Sequence, residues 1–144
     1  MKKISIVLTG ISLCMLISSC ISKPGEKEQE QSLRDSVMHI HDSIMPWMED
    51  LANLKDQMNL LASDSTIDSA AKIRAVDLLH KLGNGEDNMW DWMHKWRDPD
   101  STAGHEKIMQ YYSMQYQKID SLAKTMSLLI HDAEDYLNPH DNDD

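Results

Sequence analysis

Three apolar seams, each stepping four and three residues at a time, limit what this chain can become. The first is Leu33, Val37, Ile40, Ile44, Trp47, Leu51, Leu54, Met58 and Leu61. The second is Ala71, Ala75, Leu78, Leu82, Gly85, Met89, Trp92 and Trp96. The third is His105, Ile108, Tyr112, Gln115, Ile119, Leu122, Met126, Leu129, Ala133 and Tyr136, interrupted in its apolar character only by His105 and Gln115. A 4-3 alternation keeps one helical face turned toward a partner, whereas a half-buried strand needs strict alternation. Glu, Lys, Leu, Met, Ala and Gln dominate over β-branched residues and Phe is absent, which agrees with helix.

The breaks between seams are equally legible. Ser63-Asp64-Ser65-Thr66 reads as a turn in which Ser65 or Thr66 caps the next helix and Asp68 falls in its first turn. Arg97-Asp98-Pro99-Asp100-Ser101-Thr102 reads as a second turn, because Pro99 disfavours helix at Asp98, and Asp100, Ser101 or Thr102 supplies the cap. Pro46 lies inside the first seam. It lacks an N–H and crowds the carbonyl of Asp42, so a kink is expected there, but the seam keeps phase and argues against a chain reversal. Gly83-Asn84-Gly85 is the weak point of the second helix. Two glycines cost about 1 kcal/mol each there, and Gly83 as a C-cap would give four helices. Phase continuity favours three, with Gly85 as a point of close approach.

The expected fold is therefore an all-α, antiparallel up-down-up three-helix bundle over residues 29–137. Residues 20–28 form a polar tether containing Pro24-Gly25, and 138–144 an acidic tail after the Asn138-Pro139 stop.

Residues 1–19 read as a signal peptide. Lys2 and Lys3 precede an apolar run from Ile4 to Ile17, too short and interrupted to span a bilayer. Ile17-Ser18-Ser19-Cys20 resembles the lipobox of bacterial lipoproteins, which implies cleavage before Cys20 and its modification with three acyl chains, palmitate among them. One buried chain anchors only weakly, and several together hold a protein on the membrane. Cys14, the other cysteine, leaves with the signal, so the mature chain has no thiol for a disulfide, a thiolate metal site or a nucleophile. Ile21 is not an inner-membrane retention signal, so the outer membrane is the favoured site within the envelope, facing the periplasm or the cell surface.

Cleavage removes two lysines and no acid, so the formal net charge moves from −10 to −12. Such a surface repels nucleic acid and anionic headgroups.

Two stretches resemble a known group. They are His41-Asp42-Ser43-Ile44-Met45-Pro46-Trp47-Met48 with Leu54-Lys55, and Met89-Trp90-Asp91-Trp92-Met93-His94-Lys95-Trp96. Together they are similar to small helical lipoproteins of Bacteroidota, sometimes given the name viral A-type inclusion protein after their coiled-coil character. The resemblance implies a helical lipoprotein and no characterised activity. Gly85-Glu86 stands where that pattern has an Ala-Asp pair.

Methionine and histidine supply the one suggestive donor set. Met38, His41, Met45 and Met48 recur at 3-4-3 spacing beside the first seam. A hairpin turning near Asp64-Ser65 would bring His41 level with Met89 and Met38 near Met93. A turn near Pro99 would bring Met109 level with Met89 and His105 with Met93. Met38, His41, Met45, Met89, Met93, His105 and Met109 would then gather at one height, a thioether-imidazole set suited to Cu(I). Packing competes with this, since methionine fills irregular cores and no Phe is available to do so.

Asp77/His80 and Asp91/His94 lack the inward glutamates of a di-iron bundle and read as solvated pairs. No Cys-x-x-Cys-His, HExxH, Gly-rich phosphate loop or G-x-S-x-G is present. The chain reads as a non-enzyme that binds or scaffolds, with no cofactor unless copper. Trp90, Tyr111, Tyr116 and exposed methionines are the candidate surface for an envelope partner.

Overall fold

The structure, a computed structural model, describes residues 24–138. The signal peptide, Cys20 and the tail from Pro139 onward lie outside them. Four helices follow one another: α1 (Glu26–Ile44), α2 (Trp47–Ser63), α3 (Ser69–Lys95) and α4 (His105–Leu137). There is no strand among the described residues, and no helix there is long and apolar enough to cross a membrane.

The four helices make three rods, because α1 and α2 are one rod with a joint. Met45 and Pro46 keep right-handed helical backbone angles, so the chain does not turn back. Pro46 cannot donate to Asp42, and the ladder resumes with shorter steps, Met48 N–H to the Met45 carbonyl and Glu49 N–H to the Pro46 carbonyl, both at 3.1 Å. The joint changes the rod's neighbour: α1 lies mainly on α4 and α2 mainly on α3. At 1.5 Å per residue, the rod from Glu26 to Ser63 is about 57 Å long.

Cross-helix pairs define the directions. Leu33 and Met109, Ile40 and Tyr116, and Trp47 and Ala123 share clefts, so the first rod and α4 run parallel. Trp92 with Gln115 and Tyr136 with Ala71 show that α3 runs against α4. This is the up-down-up arrangement that three short-looped amphipathic rods adopt most simply.

Helix α3 runs unbroken through Gly83-Asn84-Gly85, with neither glycine at positive φ. A Cβ on Gly85 would sit 3.0 Å from Leu129 Cδ1 and 3.8 Å from Leu51 Cδ1, so both other rods approach α3 closely at this glycine. At Gly83 the nearest atom would be Lys55 Cε at 4.0 Å.

Helix ends differ from expectation in detail. Asp68, not Ser65 or Thr66, caps α3, accepting from the N–H groups of Ala70 at 2.8 Å and Ala71 at 3.0 Å. The α4 cap is Gly104, without a side-chain bond. Asp64 and Asp100 instead close their own turns, each carboxylate accepting from the backbone N–H and hydroxyl of the residue two on, Thr66 or Thr102. The same Asp-Ser-Thr triplet thus builds both connections, four residues before each cap. Helix α1 begins at Glu26, so residues 26–28, expected in the tether, are its first turn, where Glu26 and Glu28 interact favourably with the positive end of the helix dipole.

The core is the three seams meeting. Val37, Leu51, Met58, Ala75, Leu78, Leu82, Met89, Ile119, Met126 and Ala133 are fully enclosed. Every buried described residue lies on a seam except Glu30.

Candidate functional site

Two features stand out against that apolar interior. The first is a band of charge at the end of the bundle where α1 begins. Helix α4 starts beyond the end of α3, and its first turns rest on α1. There His105 Nδ1–H donates to Glu30 Oε1 at 2.9 Å, while Lys27 Nζ reaches Glu30 Oε2 at 3.2 Å. Glu30 is only 7% exposed. One helical turn on, Arg34 grips Asp98 with two bonds, Nε–H to Oδ1 at 2.9 Å and a terminal nitrogen to Oδ2 at 3.2 Å. Tyr112 O–H donates to Asp98 Oδ1 at 3.1 Å. Lys27, Glu30, Arg34, Pro99 and Tyr112 line a cleft of about 290 Å³ between α1, the α3–α4 connection and α4.

The electrostatics follow from these contacts. The hydrogen bond from His105, helped by Lys27 and opposed by burial, holds the Glu30 carboxyl below its usual range. The Arg34 guanidinium does the same for Asp98. Burial, then the bond to the Asp98 carboxylate, pushes the Tyr112 phenol up to about 12. This band ties the first rod to the α3–α4 connection and α4. Apart from Lys27–Glu30, its pairs lie 14 to 75 residues apart in the chain, so local spacing does not point to them.

The second feature surrounds Trp92. Its indole N–H donates to Gln115 Oε1 at 3.0 Å inside the bundle, which explains why a glutamine interrupts the third seam. The His41 ring lies against Trp92 with centroids 5.5 Å apart. Trp92, Trp96, Tyr111 and Tyr112 continue as a chain of aromatic contacts toward the α3–α4 connection.

The seven expected copper donors do not share one height. His105 is bound to Glu30, which precedes His41 by eleven residues on the first rod, about 16 Å along the axis. Met109 shares a cleft with Leu33, again well short of His41. The reason is the overhang of α4 past α3: the chain from Trp96 to Gly104 does not turn tightly at Pro99, so α4 is shifted along α3 from the position a close hairpin would give. Met89 is wholly enclosed in the core and Met93 packs on it. Met38, His41 and Met45 remain together on α1 and at its joint, all half-buried.

The other sequence candidates separate cleanly. Trp90 is 47% exposed, stacked on His94, while Trp92 is buried, as one seam cannot hold both. Tyr111 is engaged, its hydroxyl accepting from Arg97 N–H at 3.2 Å. Tyr116 and Met114 are exposed. Asp77 pairs with Arg74 and Lys81, and Asp91 with Lys95. No group of three or more His, Cys, Asp or Glu side chains that could hold a metal ion occurs among the described residues.

No family model, no curated protein and no solved structure matches the chain.

Proposed function

We propose that the protein is a lipid-anchored envelope lipoprotein whose helical bundle acts by binding or scaffolding rather than by catalysis. The observation that carries this reading is the distance between anchor and fold. Cys20, in its Ile-Ser-Ser-Cys setting, stands six residues before the first helical residue, Glu26, a reach of at most about 20 Å even when extended. The bundle would then project from the bilayer, with the charged band of Glu30, Arg34, Asp98 and His105 toward the membrane and the α2–α3 turn at the far end.

Two large apolar side chains flank that far turn, Leu60 and Ile73, each 71% exposed. They are the natural contact points for a protein partner in the envelope. The acidic surface keeps the bundle off anionic headgroups and nucleic acid.

Metabolic labelling with an alkyne palmitate, combined with membrane fractionation, tests the anchor. The full chain takes up label and sediments with membranes, and Cys20→Ser loses both. An unlabelled, soluble wild-type protein would overturn the reading. Photo-crosslinkers placed at Leu60 and Ile73 then test binding: discrete adducts at these positions, absent when the crosslinker replaces Lys107 near the opposite end, support a partner at the far turn.

A further inference from the structure

Five of the nine described methionines serve the core. Met58, Met89 and Met126 are fully enclosed and fill the core, and Met48 and Met93 pack against it. Met38, Met45, Met109 and Met114 belong to neither set, and of these only the half-buried Met38 and Met45 bracket His41. The ordinary explanation of methionine in a helical bundle, that it fills the interior, therefore fails at the two positions that bracket His41.

The geometry points to a Cu(I) site formed by His41 with the thioethers of Met38 and Met45, a reading independent of how the chain is anchored. Residues three and four apart on a helix are surface neighbours, about 5–6 Å between Cβ atoms, which is within the span that two long thioether side chains can bridge to the imidazole. The ring is already oriented. Its Nδ1 lies 2.9 Å from Asp42 Oδ1, and a carboxylate only accepts, so Nδ1 carries a hydrogen and Nε2 is the nitrogen left to bind a metal. That carboxylate–imidazole arrangement is the outer-shell support that fixes tautomer and raises ligand basicity in histidine metal sites. Nε2 makes no hydrogen bond to any described residue. The buried Trp92 lies against the ring, centroids 5.5 Å apart, while 16% of the His41 side chain stays open to solvent. Two thioethers and one neutral imidazole are a soft, uncharged donor set that suits Cu(I) and serves Mg²⁺ or Ca²⁺ poorly. This set drops Met89, Met93, His105 and Met109 from the seven that spacing alone suggested.

The test is an anaerobic titration of the full chain in detergent with Cu(I), in competition with a chromophoric Cu(I) chelator. One equivalent binds, and tryptophan emission falls as the metal enters beside Trp92. Met38→Leu, Met45→Leu and His41→Gln each weaken binding by about tenfold or more, whereas Met58→Leu in the core leaves it unchanged. Copper K-edge absorption on the unmodified protein needs no variant and shows nitrogen and sulfur scatterers together. Absence of a one-equivalent site, equal affinity in Met38→Leu/Met45→Leu, or a spectrum with nitrogen and oxygen only would each overturn the assignment.

Discussion

Trp92 and Gln115 are joined by a 3.0 Å hydrogen bond in the interior, the indole N–H donating to the amide oxygen. They sit on antiparallel neighbours, α3 and α4, and each brings a buried polar group into a mostly apolar seam. An apolar seam tolerates sliding by a heptad, since Leu, Ile and Met substitute for one another in volume. A buried donor with one acceptor does not, because the slipped register leaves both groups unsatisfied.

Gln115→Leu should cost about 1–3 kcal/mol by leaving the indole N–H without an acceptor. Trp92→Phe/Gln115→Leu should lose less than the sum of the two single changes. Urea unfolding of the four proteins of this cycle measures the coupling. Strict additivity would show that the bond does not contribute to holding the register.

The two glycines of α3 should respond oppositely. Gly83→Ala gains up to about 1 kcal/mol of helix propensity in space that is free to receive the methyl. Gly85→Ala brings a Cβ to 3.0 Å from Leu129 Cδ1, so the gain is offset by displacing Leu129. Gly85→Val has no such relief and should destabilise by about 1–3 kcal/mol. Thermal melts rank the three as Gly83→Ala, Gly85→Ala, Gly85→Val in descending order.

Acid should loosen the charged band first. Glu30 and Asp98 are both held below the ordinary carboxyl range in the folded chain, by His105 and by Arg34. A depressed folded pKa gives stability that is present above the unfolded carboxyl value near 4 and is lost as pH falls through the lower folded values. Asp64 and Asp100 follow the same sense, held down by Thr66 and Thr102. Hydrogen exchange compared at pH 6 and at about pH 3 should show the first turns of α1 and α4 deprotected before the Leu51–Leu82 region. Uniform deprotection would contradict this.

Tyr112 should titrate near 12, because burial and the Asp98 carboxylate both disfavour phenolate. Ultraviolet pH titration resolves it, and Asp98→Asn lowers its apparent value. A Tyr112 that titrates at the ordinary phenol value of 10.0 in the intact protein would refute the contact.

The seams were fully legible in the sequence. Each buried side chain apart from Glu30 falls on one, because helical periodicity is a local property that tertiary contacts only select. The kink at Pro46 was legible for the same reason, since the missing N–H belongs to the residue itself. The Met38–His41–Met45 spacing also survives folding unchanged, being carried by α1 and the helical turn that continues it into the joint.

What the sequence alone determined is thus which face of each helix is apolar and where the chain turns. The tertiary structure decided how far one rod slides along another. The overhang of α4 past α3 took His105 away from His41 and gave it to Glu30, and the joint at Pro46 moved the first rod's packing from α4 to α3. Neither is encoded in spacing along one helix. Register depends on the path of the connection through Asp98 and on which polar groups find partners when seams meet, and those partners are 23 to 75 residues apart.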